Sequence, residues 1–248
     1  MGMKALVLAA GRGNRLDQLT AESNKCMLTL LGKPLIQYSI ENALAAGVVE
    51  IVIVVGYRAE DIINHFGISF QGVPMRYVIQ SECRGLVNAI SCAENAIAGS
   101  DFMLFLADEI LSHPAHEAML KLFYSENLFA VCGVVFTEDR NQIRKTYSIL
   151  GEESTGQIYR LIEKPRTPIN NIMGTGNCIF HADIFGYIDR TPTNVERGEK
   201  ELPDLIQCAV DEGKMVKYMN IGDTYININT SDDIGIAEKV HRARIGAL

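Results

Sequence analysis

The sequence lacks any apolar run that could cross a lipid bilayer, since its longest runs, such as 5–10 and 51–55, are far too short. It also lacks an excess of positive charge: a formal net charge of −7 over 248 residues leaves no chain-wide basic surface for nucleic acid. The N-terminal residues show no signal-peptide pattern. We therefore expect a cytoplasmic protein with neither a membrane nor a nucleic-acid partner, and a homodimer as the default assembly.

Motifs for disulfides, structural zinc and covalent catalysis are missing as well. The six cysteines form no C-x-x-C pair and have no histidines at zinc-finger spacing, which predicts reduced thiols. The five histidines show no metal-ligand pattern. No Ser-His-Asp or Cys-His arrangement indicates a covalent nucleophile.

The first half of the chain alternates strand and helix patterns. Continuous apolar runs predict buried parallel strands, and apolar residues at helical spacing predict helices. The predicted strands are 4–10, 50–55, 75–79 and 102–107, and the predicted helices are 34–46, 59–65 and 85–98. This βαβαβαβ order predicts an open parallel sheet with helices on both faces.

The second half is less regular. Apolar runs at 147–150 and 158–162 flank a polar turn, which predicts a hairpin. Further strands are predicted at 129–136, 176–181, 216–220 and 225–228, and helices at 202–211 and 231–244. Because no linker or repeat interrupts the chain, we expect one α/β domain over 1–248 with a mostly parallel, mixed sheet.

The most informative segment is 8–25, LAAGRGNRLDQLTAESNK. A buried strand ends there in small residues through Gly11 and Gly13, which leaves backbone N–H groups uncovered for an anion or a nucleotide. Arg15 and Lys25 add positive charge within reach of the same loop. A triphosphate needs such charge, because it must be neutralised before a second anion can approach.

Two common glycine-rich nucleotide loops do not fit this segment. The Walker A string is absent, and Leu16 stands at the third glycine position of the dinucleotide-binding fingerprint, which argues against an NAD-dependent oxidoreductase. What remains is G-x-G-x-R-L followed by a lysine, which resembles the sugar-phosphate nucleotidyltransferase family (nucleotide-sugar pyrophosphorylases and related phosphocholine cytidylyltransferases). The resemblance continues in order through GKPLIQYSIENALAAGV, IVIVVGY, Gln80, Asp108, the EKP of 163–165 and YININTSDD, over nearly the whole chain.

The resemblance implies a Rossmann-like fold of the nucleotide-diphospho-sugar transferase type. A nucleotide-binding half would span about 1–112 and an acceptor-binding half about 113–248. Arg15 would grip the phosphates of the nucleotide, and Lys25 would balance charge on the leaving pyrophosphate. The implied nucleotide-binding residues are Leu8, Ala9, Ala10, Gly11, Gly13, Gln80 and Gly85.

For the acceptor and the metal, the resemblance implies a second set of residues. Lys164, a catalytic candidate with Arg15 and Lys25, would hold the phosphate of the acceptor. Asp108 and Asn227 match the two positions that bind Mg²⁺. The implied acceptor-binding residues are Glu109, Glu163, Lys164, Thr175, Gly176, Asn177, Glu199 and Asp204.

The sequence departs from the family pattern at three places. Asn24 stands where many members have proline, and Ala107 stands where most have glycine before the metal aspartate. Asn227-Ile228-Asn229 replaces a common Asp-x-Gly string. An amide oxygen binds Mg²⁺ more weakly than a carboxylate does, and Asn229, two residues along the strand, could share the role of Asn227.

These observations predict a Mg²⁺-dependent nucleotidyltransferase that joins an NMP to a phosphorylated small molecule and releases pyrophosphate. CTP is favoured over UTP, dTTP and GTP, because of the compact chain and the missing Asp-x-Gly string. The acceptor is a sugar 1-phosphate, phosphocholine, phosphoethanolamine or a phosphonate. The alternative, motivated by Asn227, is a non-catalytic homologue that binds a nucleotide or nucleotide-sugar and regulates a partner.

Overall fold

The computed structural model describes residues 2–11 and 24–245. Its strands are β1 (Lys4–Ala9), β2 (Thr29–Leu30), β3 (Lys33–Pro34), β4 (Glu50–Val55), β5 (Ser69–Phe70), β6 (Val73–Ile79), β7 (Phe102–Leu106), β8 (Glu109–Ser112), β9 (Ala130–Phe136), β10 (Tyr147–Gly151), β11 (Ile158–Glu163), β12 (Ile172–Phe180), β13 (Thr193–Asn194), β14 (Glu199–Lys200), β15 (Val216–Asn220) and β16 (Thr224–Asn227). Its α-helices are α1 (Leu35–Ala45), α2 (Ala59–Phe66), α3 (Leu86–Cys92), α4 (Glu94–Ile97), α5 (His116–Ser125), α6 (Arg140–Ile143), α7 (Leu202–Asp211) and α8 (Ser231–Ile245). Short 3₁₀ helices cover Lys25–Met27 and Ala182–Tyr187.

The central sheet is mixed, and its parallel part comes from the first half of the chain. Strands β6, β4, β1 and β7 lie side by side in parallel. Strand β12 continues the sheet antiparallel to β7 and also pairs antiparallel with β9 and β10. Strand β15 joins β9 in parallel, and β11 closes the other edge. The predicted α/β class with a mixed sheet is confirmed.

Helices cover both faces of this sheet because each buried strand is apolar on both sides. In β4, Val52 and Val54 pack in one core with Ile90 of α3. The alternate residues, Ile51 and Ile53, pack in a second core with residues of α1. Successive side chains of a strand point to opposite faces, so the continuous apolar runs of the sequence supply two cores at once.

Several elements differ from the prediction. The helix expected over 85–98 is divided at Ala93 into α3 and α4. The strand expected from residue 176 begins at Ile172. Its first residues were not predicted, because the Gly174–Gly176 stretch is fully buried but lacks the apolar pattern of a strand. Strand β8 and helix α5 were not predicted; β8 is only four residues long, begins with a charged residue and exists through its pairing with β16.

Within 2–11 and 24–245, none of the helices combines the length and apolar character needed to span a bilayer.

Candidate active site

The carboxyl ends of four parallel strands form one edge of the sheet, and this edge carries a cleft of about 340 Å³. In open α/β sheets, ligands bind at this edge. The residues that line it are Leu8, Ala10, Gly11, Gln80, Cys83, Gly85, Leu86, Ala89, Leu106, Asp108 and Glu199. We call it the nucleotide cleft.

Most of the nucleotide-binding residues that the sequence suggested lie around this cleft. Leu8, Ala10 and Gly11 line it at the end of β1, and Gln80 and Gly85 line it after β6. Ala9 lies between Leu8 and Ala10 in the chain, but its side chain is buried in the second core of the sheet. The predicted Gly13 and Arg15 lie outside the described residues.

Two glycines allow the cleft walls to approach closely. A Cβ at Gly56 would lie 2.8 Å from the backbone oxygen of Ala10, so a side chain there would push the two strand ends apart. Gly85 has φ +86°, and a Cβ there would lie 2.7 Å from Oε2 of Glu199. Only glycine tolerates both the backbone conformation and this contact at position 85.

The side-chain amide of Gln80 is held at the wall of the cleft. Its Nε2 donates hydrogen bonds to Asn88 Oδ1 at 2.8 Å and to the backbone oxygen of Gly85 at 3.3 Å. The backbone N–H of Gln80 donates to Val55 O at 2.8 Å, which anchors the residue to the end of β4.

Lys25 and Asp108 form an ion pair beside the cleft. Lys25 Nζ lies 2.5 Å from Asp108 Oδ2, and the lysine side chain is largely buried. The same ammonium lies 3.5 Å from Asn229 Oδ1. A burial this deep requires compensation of the lysine charge, and Asp108 supplies it.

Asn24 fixes the backbone that carries Lys25. Its Oδ1 accepts from the N–H of Cys26, and its Nδ2 donates to Tyr57 O at 2.6 Å. Its own N–H donates to Asp61 Oδ2 at 3.0 Å. The asparagine that replaces the usual proline thus holds the turn by side-chain hydrogen bonds, which a proline cannot make.

The residues around Asp108 fit a magnesium site made of oxygen atoms. Strand β16 pairs with β8 so that Asn227 lies opposite Glu109, next to Asp108, and Ile228 N–H donates to Asp108 O at 2.9 Å. Lys25 shows that a cation is accommodated between Asp108 and Asn229. Among the described residues, no cluster of three His, Cys, Asp or Glu could hold a metal by itself. One carboxylate, amide oxygens and substrate phosphates are the set that Mg²⁺ commonly takes in phosphoryl-transfer sites.

A second pocket of about 190 Å³ adjoins the nucleotide cleft, and Leu86 and Leu106 line both. Its other lining residues are Glu109, Lys145, Thr146, Tyr147, Glu163, Lys164, Gly174, Thr175, Gly176, Glu201, Leu202, Pro203, Tyr225 and Asn227. We call it the acceptor pocket.

The buried carboxylate of Glu109 organises one wall of the acceptor pocket. Tyr225 OH donates to its Oε1 at 2.7 Å, Asn177 Nδ2 donates to its Oε2 at 2.8 Å, and Gly176 N–H lies 3.0 Å from both oxygens. Burial raises the pKa of Glu109 to about 8, although these three donors lower it. The hydrogen bonds of Glu109 tie β8 to β12 and β16.

A buried histidine extends this network away from the pocket. His116 Nε2 lies 2.9 Å from Asn177 Oδ1, and its ring packs against Phe105. Its Nδ1 has no hydrogen-bond partner within the described part of the chain. Burial lowers the pKa of His116. We therefore assign Nε2 as the protonated nitrogen, donating to an asparagine whose amino group faces Glu109.

Glu163 and Lys164, which also line the acceptor pocket, form an ion pair. Lys164 Nζ lies 3.2 Å from Glu163 Oε1, and Arg197 approaches the same oxygen at 3.4 Å. Burial raises the pKa of Glu163, while Lys164 and Arg197 lower it. Lys164 has φ +42°, an uncommon conformation for a residue with a side chain, and such residues are enriched at functional sites.

The remaining predicted acceptor residues are divided by the structure. Thr175 and Gly176 line the acceptor pocket, whereas Asn177 is buried behind it with its side chain committed to Glu109 and His116. Glu199 lines the nucleotide cleft instead, and Asp204 is absent from the lining of either pocket. Their roles toward an acceptor stay predictions.

Sequence reasoning missed Lys145, Glu201 and Tyr225, all of which line the acceptor pocket. Glu201 stands between the two acidic residues that were chosen, 199 and 204, so the signal lay in the right segment. The hydroxyl of Tyr147 donates to Thr175 O at 2.9 Å across two strands, a contact that no local pattern predicts.

The chain is similar in sequence and in fold to known proteins. UTP–glucose-1-phosphate uridylyltransferase AglF of Haloferax volcanii is 32% identical over 238 residues, which cover 96% of each chain. The bifunctional protein GlmU of Methanocaldococcus jannaschii is 30% identical over 237 residues, 96% of this chain but 54% of that protein. A solved structure of UDP-glucose pyrophosphorylase complexed with UDP-glucose superposes with a TM-score of 0.87 over 98% of this chain and all of that one (100%), at 24% identity, and supports the fold.

The sequence model of the nucleotidyl transferase family matches residues 4–243, which include both pockets. Together with the identity to AglF over nearly the full length of both chains, this match shows that the protein belongs to the nucleotidyl transferase family of enzymes.

Proposed function

We propose that this protein transfers a nucleoside monophosphate from a pyrimidine nucleoside triphosphate to a sugar 1-phosphate and releases pyrophosphate. The observation that carries the proposal is the shared wall of the two pockets. Leu86 and Leu106 border both, Asp108 lies on the nucleotide side, and Asn227 lies on the acceptor side. A triphosphate in one pocket and a phosphate in the other would meet beside Asp108 and Lys25.

The reaction needs positioning more than covalent chemistry. A phosphate oxygen of the acceptor attacks the α-phosphorus and forms a new P–O–P linkage. The bond from the α-phosphorus to the oxygen that bridges to the β-phosphorus breaks, and pyrophosphate leaves with that electron pair. Both reactants are anions, so the site must hold them together against their repulsion.

Three described side chains suit this task. Lys25 has its ammonium in the wall beside the cleft, where it would face the phosphates of a nucleotide. Lys164 lines the acceptor pocket, where it would bind the acceptor phosphate. Asp108, with Asn227 or Asn229, would hold Mg²⁺, whose charge would neutralise phosphate oxygens. Arg15, outside the described residues, is proposed to grip the triphosphate.

A sugar is favoured over a cationic head group as the acceptor. The relatives named above include a glucose-1-phosphate uridylyltransferase of nearly equal length. In this chain, the acidic residues of the acceptor pocket are engaged: Glu109 accepts three donors, Glu163 contacts Lys164 and Arg197, and Glu201 pairs with the same arginine. Little negative charge is left uncompensated for choline, whereas carboxylate oxygens still accept hydrogen bonds from sugar hydroxyls.

The test is pyrophosphate release with Mg²⁺, crossing CTP, UTP, dTTP, GTP and ATP against glucose 1-phosphate, other sugar 1-phosphates, phosphocholine, phosphoethanolamine and simple phosphonates. We expect activity with a pyrimidine nucleotide and a hexose 1-phosphate. Activity confined to phosphocholine or a phosphonate would overturn the acceptor assignment. Nucleotide binding without pyrophosphate release from any combination would favour the non-catalytic, regulatory alternative.

A further inference from the structure

The orientation of the Gln80 amide is fixed by two acceptors. Nε2 lies 2.8 Å from Asn88 Oδ1 and 3.3 Å from the backbone oxygen of Gly85. A backbone carbonyl can only accept a hydrogen bond, so the end of the amide that faces Gly85 must be the amino group. The exchange of nitrogen and oxygen that usually leaves a glutamine ambiguous is therefore settled by its surroundings.

This orientation leaves a single kind of group for a ligand. The amino group of Gln80 carries two hydrogens, and Asn88 and Gly85 use both. What Gln80 can offer to a base in the nucleotide cleft is its Oε1, a hydrogen-bond acceptor. An acceptor pairs with a ring N–H, which uracil and thymine carry at N3. Cytosine has a lone pair at N3, so with its ring in the same position it would face Oε1 with repulsion, and it could pair only by moving its 4-amino group opposite Oε1.

Asn88 is the stronger of the two restraints. Its Oδ1 lies 2.8 Å from Gln80 Nε2, whereas the backbone oxygen of Gly85 lies 3.3 Å from the same nitrogen. It lies in α3 between Val87 and Ala89, both of which are buried in the core of the sheet. The backbone that presents the Asn88 oxygen is thus held by packing on both sides, which keeps that acceptor in place before a nucleotide arrives.

We propose that Asn88 sets the base preference of this enzyme by holding Gln80 with its oxygen toward the base, which selects UTP or dTTP over CTP. The inference rests on the proposed function, since it names the nucleotide class for the same site. It replaces the CTP preference favoured by the sequence. Asn88 is a positioning residue: it acts through Gln80, which is the group that reads the base.

Two substitutions of Asn88 by side chains of similar size separate its effect on the orientation of Gln80 from its effect on the packing of α3. Asn88→Leu removes the acceptor, whereas Asn88→Asp keeps an oxygen that accepts from Gln80 Nε2. The measurement is kcat/KM for UTP and for CTP at saturating glucose 1-phosphate. We expect the wild type and Asn88→Asp to prefer UTP. In Asn88→Leu, the ratio of kcat/KM for UTP to that for CTP should fall about tenfold, which is the effect of losing one hydrogen bond. A purely structural role would lower kcat for both nucleotides and leave their ratio unchanged.

A wild type that uses CTP as well as UTP would overturn the inference, as would an Asn88→Leu variant with the wild-type ratio. Titration calorimetry of UTP and CTP with the same three proteins measures the preference without turnover. A protein that binds UTP better than CTP through Asn88 but releases no pyrophosphate would contradict the proposed function and still support the role of Asn88. Equal binding of both nucleotides would contradict the role of Asn88, whatever the activity.

Discussion

The nucleotide cleft and the acceptor pocket share a wall but are built differently. The cleft follows the ends of adjacent parallel strands, and small residues such as Ala10 and Gly11 leave its floor open to a ligand. The acceptor pocket gathers side chains from widely separated segments, and hydrogen bonds to the buried Glu109 connect three of its strands.

This difference indicates how each region would respond to change. Among the described residues, few charged side chains line the cleft, and the Lys25–Asp108 pair lies where we propose that the phosphates react. The acceptor pocket compensates its charges internally, so its shape depends on side-chain contacts. We therefore expect substitutions beside the cleft to act on the chemical step, and those in the acceptor pocket to act on the affinity for the acceptor.

The largest effect is expected for Asp108→Asn. The change removes the charge that pairs with Lys25 and the only carboxylate proposed to bind the metal, so kcat should fall by at least about a hundredfold. The matched control is Asp223→Asn, which removes an exposed carboxylate that pairs with His113 outside both pockets. If Asp108→Asn keeps activity close to that of the control, the proposed centre is wrong.

A smaller and more selective effect is expected for Lys164→Ala. Because the ammonium would contact only the acceptor phosphate, the KM for the sugar 1-phosphate should rise by about tenfold or more, with the KM for the nucleotide unchanged. Lys121→Ala, which removes an exposed lysine paired with Glu117 on α5, is the control. A rise in the KM for the nucleotide alone would mean that Lys164 acts on the nucleotide, and would contradict the separate roles given to the two pockets.

The smallest effect concerns stability in acid. Burial lowers the pKa of His116, so below the ordinary histidine pKa of about 6.5 the unfolded chain takes up a proton that the native state resists. This contribution to stability is present above that pH and is lost as the pH falls. Urea unfolding at about pH 7.5 and 5.5 should show a smaller loss for His116→Gln than for the wild type. An equal loss for His116→Gln and the wild type would contradict this expectation.

Local patterns predicted the nucleotide side well. The bounds of β4 were predicted as observed, and those of β1 and β7 differ by one residue at the end, because buried parallel strands are continuous apolar runs. The family resemblance pointed to Gln80 and Asp108, and the predicted strands place both at the edge where parallel strands end, after β6 and β7.

The acceptor pocket was less accessible to sequence reasoning because it depends on long-range register. Asn227 reaches Glu109 through the pairing of β16 with β8, and β8 is too short to have a pattern of its own. For the same reason, Glu201 was passed over although its neighbour Glu199 was chosen. The family resemblance, not periodicity, pointed to Glu163, Lys164 and the 175–177 segment.

If the two pockets form one continuous site, UDP-glucose, the nucleotide sugar that the proposed reaction would yield, should occupy both of them. In titration calorimetry, UTP alone and glucose 1-phosphate alone should each displace UDP-glucose, because each occupies one end of the same site. The binding of UDP-glucose should also weaken in Lys164→Ala. Simultaneous binding of UDP-glucose and glucose 1-phosphate, without competition, would contradict a single continuous site.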